Sequence, residues 1–138
     1  MNESFRIFPI GVVTKQNETV WIEIFNDFCG GLLGLEGFSH IQVLFWFHEN
    51  DEPKKRTVLQ VHPRRDNRNP LTGVFATHSP VRPNLIGLTL CRIRSVEANK
   101  IYIEDINALE GTPVIDIKCY IPHSAGKSEV RVPEWVSS

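Results

Sequence analysis

Alternation with a period of two dominates the chain. Val20, Ile22 and Ile24 alternate with Trp21, Glu23 and Phe25, and such a period sends successive side chains to opposite faces of a strand. Ile41, Val43, Phe45 and Phe47 alternate with Gln42, Leu44, Trp46 and His48. Both faces of that segment are largely apolar, which predicts a central strand. Further strand candidates are 57–61, 73–77, 88–96, 100–104 and 114–121, with Glu97-Ala98-Asn99 as a hairpin turn. One short helix is expected within 26–36, capped by Asn26 or Asp27 and weakened by Gly30, Gly31 and Gly34. Roughly seven short strands predict a mostly β fold, a barrel or a sandwich. Closure would remove exposed edges, which favours a small closed or partly open β-barrel with at most one or two short helices.

Composition narrows the class. The chain has 138 residues, the length of a single domain, and 41% of them are hydrophobic, enough for a core without staples. The expected body is 1–122. The tail, 123–138, is less regular, but Val130, Val132, Trp135 and Val136 could dock on the barrel or on a second subunit. No run approaches the roughly 18 apolar residues of a membrane span, and the N-terminus lacks the pattern of a secretory leader. Three cysteines without a close pair point to a reducing, cytoplasmic setting. The histidines and cysteines lack metal-ligand spacing, so no metal is expected.

Net charge is −1, so the whole molecule is not a basic nucleic-acid binder. Charge is nonetheless uneven. Lys54, Lys55, Arg56, Arg64, Arg65 and Arg68 crowd one stretch opposed there only by Asp66. That stretch could meet phosphates or simply be a solvated loop.

Three segments carry more polar chemistry than packing requires. In the first, Pro80 and Pro83 stiffen a loop presenting Thr77, His78, Ser79, Arg82 and Asn84, and a stiff polar loop loses little entropy on binding a ligand. In the second, Asp116, Lys118 and Tyr120 share one strand face, while Ile115, Ile117, Cys119 and Ile121 share the other, expected to be core. Glu110-Gly111-Thr112 precedes it as a tight turn whose backbone N–H groups could meet a ligand. The third is the aromatic strand, with His48 and Glu49 at its mouth.

Taken together, these segments resemble the TrmO family, also called YaeB-like or TsaA-like, over roughly residues 7–122. The likeness rests on Pro9-Ile10-Gly11-Val12, on Phe38-Ser39-His40 with Trp46-Phe47-His48, on the run from Gly73 through Arg82-Pro83-Asn84 to Leu88, and on Gly111-Thr112-Pro113-Val114 with Asp116, Lys118 and Tyr120. The resemblance implies a small barrel that binds S-adenosylmethionine, pairs as a homodimer and methylates N6 of threonylcarbamoyladenosine beside the anticodon of tRNA. It places the cofactor contacts at His48, Glu49, His78, Leu88 and Leu109, Glu110, Gly111, Thr112. Asp116 is then the candidate proton acceptor. Lys118 and Arg82 would hold a carboxylate or phosphate, and Tyr120 would stack on a base. Asn84, Arg64 and Arg65 would meet the RNA. Three positions depart from the family pattern. His78 stands where arginine is usual, Leu85 replaces a proline, and a Pro-Arg-Gln segment after the first strand is missing. Histidine offers one donor and one acceptor against the five-donor fork of arginine. Cofactor affinity is therefore expected to fall, or the methyl acceptor to differ. The alternatives are a methyltransferase with another acceptor and a non-catalytic barrel that binds S-adenosylmethionine or RNA.

Overall fold

The computed structural model describes residues 3–122 and 129–137. Among these residues eight strands form: β1 (Gly11–Gln16), β2 (Thr19–Ile24), β3 (His40–Trp46), β4 (Gln60–Val61), β5 (Thr72–Gly73), β6 (Ile86–Glu97), β7 (Lys100–Ile103) and β8 (Pro113–Cys119). Six of them close a barrel in the order β1-β2-β7-β6-β3-β8, and every pair is antiparallel. The pairs Gly11↔Val114 and Val12↔Pro113 join the ends of the sheet, so its outer strands have no free edge to protect.

The alternation read from the sequence fills the barrel. Ile41, Val43 and Phe45 of β3 point inward with Cys91 and Gly87 of β6, and Val13, Val20, Ile22, Ile24, Ile101, Ile103, Ile106 and Val114 pack with them in the core. The β6–β7 hairpin turns at Ala98-Asn99, as expected, with Ala98 at φ 55°.

Four expectations are corrected. The segment 26–36 is not one helix. It makes 3₁₀ turns at Asn26–Leu32 and Leu35–Gly37, preceded by Phe25 rather than by an Asn or Asp side-chain cap. Gly34, at φ 87°, adopts the left-handed conformation that separates them. The candidates 57–61 and 73–77 shrink to the two-residue strands β4 and β5, which pair with each other outside the barrel. Thr57 instead closes the short helix α1 (Pro53–Arg56), donating its hydroxyl to Lys54 O at 2.9 Å, and 74–76 curls into a 3₁₀ turn. On β8 the inward face keeps Ile117 and Cys119 as expected, but Val114 takes the place of Ile115, and Ile121 is exposed. The register slips against β3 between Leu44 and Phe45, so Val114 is fully buried and Ile115 is only half-buried. This bulge re-aims the strand and spends one residue without a cross-strand partner.

Residues 123–128 of the expected tail lie outside the described residues. Beyond them, Val130 and Val132 are exposed, while Trp135 and Val136 of helix α2 (Glu134–Ser137) are half-buried. Arg64 Nη2 donates to Val136 O at 2.6 Å, so this end of the chain rests on the loop after β4.

Candidate functional site

β3 and β6 meet at one end of the barrel beside the 74–84 loop and the 106–112 segment. A cavity of about 940 Å³ opens there, near the upper end of the range for small-molecule sites. Its apolar lining includes Phe45, Phe47, Phe75, Leu88 and Leu109, and its polar lining includes His48, Glu49, Arg65, His78, Arg82 and Thr112. The floor depends on Gly87. A Cβ there would stand 2.5 Å from the Phe45 ring and 2.9 Å from that of Phe47. Without it the two rings pack edge to face, 5.3 Å between centroids.

The loop from 77 to 84 is held by its own hydrogen bonds. Thr77 Oγ1 donates to Val74 O and accepts from Ser79 N–H, and Ser79 Oγ accepts from Val81 N–H. Arg82 Nη1 donates to Thr77 O and Ser79 O, each at 3.2 Å, so part of this guanidinium braces the loop while the side chain lines the cavity. Residues from before β4 pin the loop from outside. Asn50 Nδ2 donates to Pro80 O, and Arg56 Nε donates to Pro83 O at 2.8 Å. Arg56 also lies over the Trp46 ring at 5.3 Å and pairs with Asp51, which accepts from Trp46 Nε1 at 3.0 Å.

On the remaining wall, the turn 109–112 is stitched to β1. Gly111, at φ 84°, donates its N–H to Val13 O, and Thr112 N–H goes to Leu109 O. Glu110 Oε1 accepts from Lys15 N–H at 2.7 Å. The expectation that this turn offers its backbone N–H groups to a ligand is therefore corrected for Gly111 and Thr112, whose donors are used within the chain.

The candidate residues thus fall into two groups. His48, Glu49, His78, Leu88, Leu109, Thr112, Arg82 and Arg65 line one cavity. Glu110 and Gly111 sit in its wall but do not line it, and neither do Asn84 and Arg64. Asp116, Lys118 and Tyr120 lie elsewhere, exposed on the outer face of the barrel. There Asp116 stands opposite Leu44 and Lys118 opposite Gln42, while Tyr120 meets His40 edge-on at 6.3 Å. Asp116 Oδ1 accepts from the Ile117 N–H at 2.8 Å.

The basic stretch is divided too. Arg68 forks onto Asp66, whose carboxyl is held below its ordinary range by those hydrogen bonds. Arg56 serves the loop, and Lys55 Nζ donates to Asn50 Oδ1. Arg64 and Arg65 both have positive φ, 59° and 56°, a conformation that costs about 1–3 kcal/mol at each non-glycine residue. The chain thereby presents Arg65 to the cavity rim. Several lining residues were not singled out from the sequence, among them Lys15, Asn50, Thr89, Asn107 and Ala108. Lys15 shares the inward face of β1 with Gly11 and Val13, but only closure of the barrel brings it to the cavity.

A small antiparallel barrel whose mouth carries a cavity with both apolar and charged lining has the architecture of a small-molecule-binding barrel. The chain belongs to the tRNA-methyltransferase O family, whose N-terminal domain matches residues 3–125. It is 50% identical over 112 residues to a Methanocaldococcus jannaschii protein named "Probable S-adenosyl-L-methionine-binding protein", covering 81% of this chain and 89% of that one. It is 46% identical over 110 residues to the human tRNA (adenine(37)-N6)-methyltransferase, covering 80% of this chain but 24% of the human protein. The crystal structure of TrmO from P. aeruginosa superposes with a TM-score of 0.73 at 27% identity, covering 98% of this chain and 63% of that one.

Proposed function

We propose that this protein is an S-adenosylmethionine-dependent methyltransferase that acts on N6 of threonylcarbamoyladenosine beside the anticodon of tRNA. The observation that carries the reading is the convergence of the aromatic-strand mouth, the 77–84 loop and the 109–112 turn on one cavity of about 940 Å³. The names of its relatives support it, although the chain spans only 24% of the human enzyme.

The cavity fits such a cofactor. Phe45, Phe47, Leu88 and Leu109 offer apolar surface to an adenine ring, and the exposed Glu49 carboxylate offers acceptors to ribose hydroxyls. When bound, S-adenosylmethionine supplies an electrophilic methyl group. The chain must then orient the acceptor nitrogen and exclude water. The braced 77–84 loop does the first, and the aromatic floor does the second. A carbamoylated N6 is weakly nucleophilic, so a proton acceptor near it helps attack.

Arg65 and Lys54 would meet the RNA backbone, and Arg82 the threonyl carboxylate. Phe75, 81% exposed at the rim, offers a face to a splayed base of the anticodon loop.

Asp116, Lys118 and Tyr120 enter this reading through a homodimer. Their outer wall carries Leu88 and Leu90, 60% and 51% exposed, beside Leu44. Leu88 belongs to both wall and cavity, and Asp116 lies two strand spacings away, about 10 Å. A second copy seated on this wall covers the leucines and sets the three polar residues at the joint between subunits. Such an enzyme works in the cytoplasm, with its tRNA.

The test is transfer itself. Purified protein, methyl-labelled S-adenosylmethionine and tRNA from a strain lacking the gene should yield labelled N6-methylated threonylcarbamoyladenosine by mass spectrometry. Label on another nucleoside would replace the acceptor. Absence of label from RNA would overturn the reading.

A further inference from the structure

Of the charged residues that line the cavity, Lys15 is the one that the proposed function leaves without a task. On β1 it follows Gly11 and Val13 on the inward face and pairs in register with the buried Val20. The alternation that fills the core therefore carries its half-buried side chain to the barrel mouth, where it lines the cavity. An ammonium has three donors. One goes to Ile106 O at 3.0 Å. Among the described residues no carboxylate forms an ion pair with it.

Its remaining donors are open to water or to an anionic ligand at the mouth, while the Glu110 carboxylate beside it is engaged by the Lys15 backbone N–H at 2.7 Å. Its neighbours in the lining are Asn107, Ala108, Leu109 and Thr112, which come from a different part of the chain than Arg65 and Arg82. The cations suited to RNA and the cation on β1 are thus carried by separate elements. We propose that Lys15 is the receptor for the α-carboxylate of the cofactor's amino-acid end and so selects ligands that carry that group. The proposal rests on the cofactor reading given above.

Isothermal titration with two probes tests it. S-adenosylhomocysteine keeps the amino-acid end, and 5′-methylthioadenosine lacks it. Lys15→Met, which retains an apolar stem, should weaken S-adenosylhomocysteine by roughly tenfold or more, the scale of a lost hydrogen bond to a charged group. Affinity for 5′-methylthioadenosine should stay at the wild-type value. Lys15→Arg, which keeps the charge, should restore most of the lost discrimination. Unchanged binding of S-adenosylhomocysteine to Lys15→Met would overturn the proposal. So would equal weakening of both probes with a lowered melting temperature, since Lys15 would then only brace Ile106. If wild-type protein bound neither probe, the cofactor reading itself would fall and this assignment with it.

Discussion

Gly87 decides the shape of the cavity by what it lacks. Alanine there would drive a methyl group into the Phe45 and Phe47 rings. Overpacking of this kind costs about 1–3 kcal/mol, and the rings can yield only into the cavity or the core. Gly87→Ala should therefore lower the melting temperature by several degrees and weaken S-adenosylhomocysteine in the same preparation. Wild-type affinity at full stability would show that the ring pair is not the floor. Cys91 shows a different consequence of burial. Exclusion from water pushes its thiol up to about 11, with the Thr89 hydrogen bond opposing and Asp105 adding to the rise. The unfolded thiol ionises near the ordinary 9.0 while the folded one stays protonated. Above that pH the unfolded state binds fewer protons, so this residue's contribution to stability is intact below pH 9 and falls between pH 9 and about 11. Cys91→Ala in urea titrations should flatten the decline across that window, and an unchanged slope would remove Cys91 as its cause.

At the scale of the element, the 77–84 loop is stiff because of its partners as much as its prolines. Arg56 joins three of them: the Pro83 carbonyl, the Trp46 face and the Asp51 carboxylate. Removing a hydrogen bond and a cation–π contact costs about 1–2 kcal/mol. Arg56→Ala should lose that much stability and quicken amide exchange from 77 to 84, with exchange in β7 unaffected. Unchanged exchange would leave the prolines and the loop's other hydrogen bonds as its stiffeners. The elements also show what the sequence could and could not reveal. Ile41, Val43 and Phe45 were legible because strict alternation between two paired strands leaves no other face for them. The bulge on β8 was not, because Ile115 is as apolar as Val114 and only pairing with β3 decides which one is inside. The β-branched run at 57–61 misled for a local reason, since Thr57 had a helix carbonyl to satisfy. At the site, His48 and Glu49 stood out as a polar pair ending an apolar strand. Lys15 did not, because a lysine beside Asn17 and Glu18 reads as part of a solvated hairpin until closure of the barrel puts it at the mouth.

Across the whole molecule, closure protects the strand edges but leaves one outer wall apolar. Leu90 tests that wall without touching the cavity, since it faces outward opposite Gln42 and is not among the lining residues. Wild-type protein should sediment as a dimer, and Leu90→Lys should move it toward monomer while keeping its fold by circular dichroism. A wild-type monomer at micromolar concentration would remove the homodimer, and with it the route by which Asp116, Lys118 and Tyr120 approach the site.

The central claim is that the space between the aromatic-strand mouth, the 77–84 loop and the 109–112 turn receives the adenosyl cofactor. A crystal structure with S-adenosylhomocysteine measures this directly. Density for the ligand against Phe47, Glu49, His78 and Leu109 is the predicted result. An ordered ligand bound elsewhere on the barrel, with this cavity holding only solvent, would contradict it.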